Sequence, residues 1–175
     1  FKDLDANFAG CDMWLAQQIA DSLGVELEVV DMSFDGIIPA VKSGQVDIGI
    51  AAFTKTPERA EEIDFSDLYE TSAQLLVVKT GNAALALEVQ NGNIAGLVVD
   101  QAVGESLIAT SNGGLEVANF EFTAEEASFG KAAVIAKGNE DLVAAVNEVI
   151  NKVTADGSYQ KAYDEAVELA ASMGL

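Results

Sequence analysis

Helical and extended patterns alternate along the chain, and this alternation is the feature that most restricts its fold. Residues 10–24 place apolar side chains on one helical face, with Asp12 positioned as N-cap and Gly24 as the stop signal, and residues 46–52 (VDIGIAA) have the pattern of a buried strand. The same order recurs, with strands predicted at 25–31, 93–100 and 130–138, and helices at 33–44, 84–92, 101–111, 139–155 and 158–173. Such alternation predicts an α/β fold with mostly parallel sheets flanked by helices.

The size and charge of the chain limit its partners. Its 175 residues, half of them apolar, are enough for one sizeable core or two small lobes. Acidic residues number 29 and basic residues 9, so the net charge is −20. This charge repels phosphates, which argues against nucleic acid or an anionic membrane surface as a partner. Because the apolar runs are too short to cross a bilayer, we expect a folded soluble domain.

The near absence of histidine and cysteine argues against a transition-metal site and against acid–base chemistry near neutral pH. The chain has no histidine and a single cysteine, Cys11. An internal disulfide is therefore excluded, and a zinc or other imidazole-based site is not expected. The usual acid–base catalyst near neutral pH is also missing. Cys11 stands beside a predicted helix start, where a thiol pKa can be lowered, although lone cysteines in α/β cores are mostly inert packing.

Arg59 is the only arginine of the chain, because every other basic residue is a lysine. Thr56 is a good N-cap and Pro57 suits a first helical position, so Arg59 falls at the third position of a helix that follows a strand end. A guanidinium fork there, close to the hydroxyl of Thr54, is suited to hold a carboxylate bidentately. The alternative is a surface arginine that pairs with Glu62 three residues on.

Asp100 is the last residue of the predicted strand at 93–100 and directly precedes the predicted helix at 101–111. In open α/β sheets, ligands bind beyond the carboxyl ends of the strands, which favours a ligand role for this residue. Asp is also a preferred N-cap, so Asp100 has an equally good structural role at the start of the helix that follows. The residues alone leave both roles open.

Three blocks carry a resemblance to a known family: FDGIIPAVKSGQVDIGIA (34–51), TKTPER (54–59) and IDFSDLY (63–69). They resemble the first lobe of the family 3 extracellular solute-binding proteins, the polar amino-acid receptors of ABC importers. The resemblance runs from Gly10 to Lys79 almost without a break and continues more weakly through VVDQAV (98–103) and the C-terminal segments. It implies a two-lobed, type II periplasmic-binding-protein fold.

The resemblance also implies roles for five residues. In that family, the arginine of the TPER-type turn binds the α-carboxylate of an amino acid, and a hydroxyl five residues before it assists; these roles fall on Arg59 and Thr54. The second-lobe aspartate, here Asp100, binds the α-ammonium. Ala52 is expected to contribute backbone contacts, and Phe34 to pack over the ligand or to belong to the core.

The chain departs from the family pattern in ways that affect the predicted lobes. It begins with what resembles the end of the first strand, and only TGN (80–82) stands where the family has a crossing, a strand, an anion-binding turn and a helix. The second lobe is therefore expected to be shorter by a βα unit, and this chain of 175 residues is expected to bind amino acids poorly. The lobes are predicted as 1–78 for the first, 79–129 for the shortened second, and 130–175 for the return strand and closing helices of the first.

The sequence thus predicts a monomeric receptor without cofactor or metal that binds an amino acid and delivers it to the membrane permease of an ABC importer. Its location would be extracytoplasmic, either periplasmic or lipid-anchored at the cell surface. It is not expected to be an enzyme. Two alternatives stay open: a cyclic amino-acid dehydratase-like enzyme on the same scaffold, and a sensor or scaffold lobe that no longer binds ligand.

Overall fold

The computed structural model describes residues 1–72, 74–79, 96–119 and 129–174. The chain divides into two compact units, one made of Phe1–Glu70 with Gly130–Leu175 and the other of Thr71–Phe129. The strand at Gln74–Lys79 belongs to the second unit, whereas the predicted lobe boundary placed residues up to 78 in the first. The predicted helix at 84–92 and the first residues of the strand at 93–100 lie outside the described residues.

The first unit combines five helices and three strands among its described residues. The helices are α1 (Cys11–Leu23), α2 (Phe34–Ser43), α3 (Pro57–Glu62), α5 (Glu140–Ala155) and α6 (Ser158–Met173). The strands are β1 (Ile48–Thr54), β2 (Asp64–Ser72) and β6 (Phe129–Ile135), and they form a sheet in the order β1-β6-β2. β1 and β6 are antiparallel, and their register is irregular between Gly49 and Phe53.

The last four residues of strand β6, Ala132 to Ile135, place successive side chains into two different cores, which explains why all four are apolar. Ala133 and Ile135 face a cluster built with α1, α5 and α6, whose fully buried members include Leu15 and Ile150. The intervening residues of β6, Ala132 and Val134, instead join a cluster with Val41, Phe53, Ile63 and Phe65. Because side chains alternate across a strand, this sheet is covered by helices on both faces, as in α/β folds.

Helix α1 shows which local signals were correct. It ends at Leu23, and Gly24 then takes a left-handed conformation with φ 68°, where its N–H bonds the carbonyls of Ala20 and Asp21. The predicted stop at Gly24 is therefore confirmed. The N-cap is Gly10 and not Asp12, because Asp12 is already the second residue of the helix.

The predicted strand at 25–31 is wrong, because these residues have no helix or strand assignment. Together with α1 and the start of β1 they line a cavity of about 560 Å³. Val25 and Val30 are 57% and 44% exposed. Alternation of side chains defines the faces of a strand, but a strand also needs a neighbour that pairs with its backbone, which the local sequence does not reveal.

The described part of the second unit is a small sheet with one helix. Its strands are β3 (Gln74–Lys79), β4 (Gly96–Asp100) and β5 (Leu115–Val117), with β3 in the centre, and its helix is α4 (Gln101–Thr110). β3 is antiparallel to both neighbours. Gly104 lets α4 approach this sheet closely, since a Cβ there would lie 3.2 Å from side-chain carbons of Val77 and Val99.

Strand direction is the main correction to the predicted architecture. The α/β fold class stands, but the three pairings with a described register (β1–β6, β3–β4 and β3–β5) are antiparallel, where mostly parallel sheets were expected. An alternation of helices and strands implies parallel neighbours only when consecutive strands of the chain pair through one crossover. Here the neighbour of β1 is β6, and the residues of the second unit lie between these two strands in the sequence.

Candidate functional site

The turn from β1 into α3 positions the single arginine. β1 ends at Thr54, and Thr56 caps α3 by accepting a hydrogen bond of 3.3 Å from the Arg59 N–H. Pro57 occupies the first helical position, where its missing N–H costs nothing. The local structure is the one that the sequence predicts, and it fixes the backbone of Arg59 at the third helical position.

The guanidinium of Arg59 folds back onto the end of β1. Its Nη1 donates a hydrogen bond of 2.9 Å to the backbone carbonyl of Thr54. Its central carbon lies 5.7 Å from the ring centroids of both Phe34 and Phe53, within the range of a cation–π contact. Phe34 and Phe53 stack with centroids 4.5 Å apart. The structure therefore brings Arg59, Thr54 and Phe34 together, as predicted residues of one site, and adds Phe53.

The two phenylalanines differ in exposure, which gives the site a solvent-facing aromatic surface. Phe53 is fully buried, whereas Phe34, the first residue of α2, is 45% exposed. Phe53 therefore packs against Phe34 from the core, and nearly half of the Phe34 surface is open to solvent. A ligand contact of Phe34 is compatible with this exposure and stays a prediction.

The alternative ion pair between Arg59 and Glu62 is not formed. Glu62 bonds instead to Lys42 of α2, with 2.6 Å between the Lys42 Nζ and the Glu62 carboxylate, and this contact lowers the pKa of Glu62. Within residues 1–72, 74–79, 96–119 and 129–174, no carboxylate lies within ion-pair distance of Arg59. The remaining donors of the guanidinium are thus not committed to a described carboxylate.

Ala52 has a backbone that sequence reasoning did not foresee. Its φ is 51°, in the left-handed region that alanine rarely adopts, and it lies in the irregular part of the β1–β6 pairing. Its N–H donates a hydrogen bond of 3.0 Å to the hydroxyl of Tyr69. Since that N–H is occupied, a backbone contact of Ala52 with a ligand would have to come from its carbonyl.

Tyr69 and Asp12 form a buried polar pair behind Ala52. Tyr69 is 2% exposed, and its side chain hydrogen-bonds with the Asp12 carboxyl. Burial raises the pKa of Asp12, while the Tyr69 hydrogen bond acts in the opposite direction. Burial likewise raises the pKa of Tyr69 far above its ordinary value, so this residue stays a neutral phenol that both donates and accepts. In the sequence, Tyr69 is marked only as the last residue of IDFSDLY, and the motif by itself assigns no role to it.

A second polar group lies close to this pair. Lys131 pairs with Glu70, and the hydroxyl of Tyr159 donates a hydrogen bond of 3.1 Å to the other oxygen of Glu70.

Burial raises the pKa of Cys11, which is the opposite of the shift that a reactive thiol requires. Cys11 packs against the core cluster of α1 and α6, so its inert-packing interpretation is the correct one.

Asp100 lies in the second unit, as the last residue of β4 and opposite Gln74 of β3. Helix α4 begins at the next residue. This backbone position fits both roles that the sequence left open, so its part in ligand binding stays a prediction.

Two further observations concern the described residues as a whole. The cavity beside residues 25–32 is lined by none of the predicted site residues, so it is separate from Arg59 and Phe34. In the part of the chain that the structure describes, no helix is both long and apolar enough for a membrane span, and no three His, Cys, Asp or Glu side chains are grouped to hold a metal ion.

Comparison with known proteins connects this arrangement to one family. The family model of the bacterial extracellular solute-binding proteins, family 3, matches residues 1–168, which is nearly the whole chain.

Individual relatives agree with that match. The arginine-binding extracellular protein ArtP of Bacillus subtilis is 40% identical over 97 residues, which are 55% of this chain and 38% of ArtP. The L-cystine-binding protein TcyJ of Escherichia coli K12 is 27% identical over 202 residues, covering 91% of this chain and 74% of TcyJ. The chain thus spans well under half of the first relative's length and about three quarters of the second's.

A solved structure shows the same fold. The amino acid ABC transporter substrate-binding protein AbpA of Streptococcus pneumoniae, bound to L-arginine, superposes with a TM-score of 0.75 at 25% identity, covering 97% of this chain and 89% of that one. The fold is therefore that of type II periplasmic-binding proteins.

Proposed function

The chain belongs to the bacterial extracellular solute-binding proteins of family 3, and from this we propose that it binds an amino acid for delivery to an ABC-type importer. The observation that carries the proposal is the state of Arg59. Its guanidinium is anchored to the Thr54 carbonyl and lies against two aromatic rings, and it pairs with no carboxylate of the described residues.

The chemistry of a guanidinium favours a carboxylate ligand. Arg carries five N–H donors in a planar fork, and the bond to Thr54 uses one of them. A fork that is held on one side and open on the other can bind both oxygens of a carboxylate in a fixed direction. The aromatic contacts restrict the guanidinium plane further, so less side-chain entropy is lost when the ligand binds.

Other parts of an amino acid would be bound by the remaining predicted residues. Asp100 would take the α-ammonium, and the Ala52 carbonyl could accept a hydrogen bond from the same group. The exposed face of Phe34 would cover the apolar part of the ligand side chain. A buried zwitterion requires a partner for each charge, and a cationic and an anionic residue meet that requirement.

The comparisons support the class of ligand. ArtP is named as an arginine-binding protein, TcyJ as a cystine-binding protein, and AbpA was solved with L-arginine. We infer a polar amino acid as ligand. These relatives are named for binding and not for a reaction, which favours a receptor over the dehydratase-like alternative.

The wider role follows from the family. A receptor of this kind would act outside the cytoplasm, in a periplasm or anchored at a cell surface, as a monomer that docks on the permease of its importer. It would perform no catalysis.

The test is a calorimetric titration of the protein with each of the twenty amino acids, followed by the variants Arg59→Lys and Lys161→Met. Arg59→Lys keeps the charge but loses the fork, and hydrogen bonds to charged groups are worth about 1.5–3 kcal/mol, so affinity should fall about 10- to 100-fold.

Lys161→Met is the control, because Lys161 lies on the exposed face of α6, where its ammonium lies 3.7 Å from the Glu165 carboxylate. Its affinity should equal that of the unchanged protein. Equal affinities for Arg59→Lys and Lys161→Met would refute Arg59 as the carboxylate anchor. Because weak binding is expected of this chain, the titration extends to millimolar ligand, and binding of none of the twenty amino acids at that concentration would refute the receptor function.

A further inference from the structure

Ala52 is unusual among the residues with positive φ. The other two non-glycine cases in the described part of the chain, Ala6 and Asn112, lie in turns or bends, where such a conformation is common. Ala52 lies inside β1, at an irregularity where the register with β6 shifts. Left-handed alanine is strained, and it persists only when its surroundings hold it.

Two side chains interact with the Ala52 N–H, the Asp12 carboxyl and the Tyr69 hydroxyl. The Tyr69 hydroxyl accepts the Ala52 N–H at 3.0 Å. Tyr69 belongs to β2, and β6 lies between β2 and β1 in the sheet, so the phenol reaches past the central strand to bond an edge strand. An irregular strand position loses regular ladder bonds, and the hydroxyl accepts a hydrogen bond from this N–H in their place.

Tyr69 is itself fixed on both sides. Its ring packs against Tyr159, with centroids 5.5 Å apart, and it is almost fully buried. Its hydroxyl also interacts with the Asp12 carboxyl, and this contact contributes to the raised pKa of Tyr69. The geometry that carries the argument is the 3.0 Å hydrogen bond from the Ala52 N–H to the Tyr69 oxygen.

We propose that Tyr69 is a positioning residue that holds Ala52 left-handed and occupies its N–H, so that the Ala52 carbonyl faces the ligand. This inference rests on the proposed amino-acid binding and names the residues that shape one wall of that site. It also assigns a role to the tyrosine of IDFSDLY, which touches no ligand itself. The carbonyl can accept only from a donor, so its contact would be with the amino group and not with the carboxylate.

The experiment compares Tyr69→Phe with Tyr159→Phe, which removes the same atom from a neighbouring buried tyrosine whose hydroxyl bonds Glu70 and not Ala52. The first readout needs no ligand: hydrogen exchange of the Ala52 amide, followed by NMR on the whole chain. Loss of one hydrogen bond predicts about fivefold faster exchange in Tyr69→Phe and no change in Tyr159→Phe.

The second readout is calorimetric affinity for the amino acid that binds most tightly among the twenty. Tyr69→Phe should weaken it about fivefold, and the double variant Tyr69→Phe with Ala52→Gly should recover it, because glycine adopts positive φ without strain. If Tyr69 only stabilised the fold, glycine at position 52 would not restore the affinity.

The outcomes separate the two proposals. Equal Ala52 exchange in the two phenylalanine variants, or an affinity loss that Ala52→Gly does not restore, refutes the positioning role. An unchanged affinity in Tyr69→Phe despite faster exchange refutes it as well. Failure of the unchanged protein to bind any amino acid refutes the receptor function, while the exchange comparison still shows whether Tyr69 holds Ala52.

Discussion

Gly49 lies where β1, β6 and α2 meet, and it has no room for a side chain. A Cβ at this position would lie 2.5 Å from the Ile37 Cγ2 and 2.7 Å from the Val134 Cγ2. Carbon atoms in contact prefer 3.5–4.0 Å, so the two side chains would have to move by about 1 Å. Both are β-branched, with few rotamers to choose from, and Val134 is fully buried. The variant Gly49→Ala should therefore overpack the cluster around Val41 and Phe53.

The magnitude follows from two opposing effects. Overpacking a dense core costs about 1–3 kcal/mol, and alanine returns about 0.4–1 kcal/mol by restricting the unfolded chain. We expect a net loss of about 1–2 kcal/mol in the free energy of unfolding, measured by urea titration with circular dichroism. The matched control is Gly130→Ala, where the three atoms nearest to the added methyl all belong to the side chain of Leu68. Leu68 is 39% exposed and can rotate away, so the change should stay within about 0.5 kcal/mol. Equal midpoints for the two variants would refute the reasoning from packing at Gly49.

Two further predictions concern single carboxyl groups. Asp100→Asn keeps a good helix N-cap but removes the proposed partner of the ligand ammonium, so calorimetry should show an affinity loss of about 2 kcal/mol with little change in melting temperature; a collapse of the melting temperature with intact affinity would instead assign Asp100 to capping. Burial raises the pKa of Asp12 above its ordinary value of 3.8, and a raised folded-state pKa contributes stability that is present below the unfolded pKa and lost as pH rises through the folded one. Asp12→Asn should therefore gain stability relative to the unchanged protein as pH rises above about 3.8, in urea titrations at several pH values, and a pH-independent difference would contradict this.

Local signals in the sequence were sufficient for local structure. Gly24 ends α1, Thr56 caps α3 and Pro57 opens it, because each of these features depends on the dihedral angles or hydrogen bonds of a few adjacent residues. The placement of Arg59 followed from the same signals. The family resemblance then added the fold and the class of function, which periodicity alone did not provide.

Pairing between distant segments could not be predicted in the same way. Residues 25–31 have the alternation of a strand but no assigned pairing, and β1 is paired with β6, more than seventy residues later in the chain. The hydrogen bond from Ala52 to Tyr69 and the left-handed φ of Ala52 are equally non-local. An alanine in an apolar run gives no sign of positive φ, since that conformation is imposed by the surrounding structure and not preferred by the residue.

The sequence left two roles open for Arg59, a ligand contact and an ion pair with Glu62. Lys42, a residue of another helix, bears on the choice between them. Glu62 is the helical neighbour that could neutralise Arg59, and a chain with so many acidic groups offers such partners readily. Lys42 of α2 binds Glu62 and thereby removes it as a competitor, while the Thr54 carbonyl and two phenylalanine rings hold the guanidinium without cancelling its charge. An ion pair with Glu62 would compete with the proposed carboxylate ligand for the same guanidinium. The contact between Lys42 and Glu62 therefore favours the proposed role of Arg59 as the carboxylate anchor.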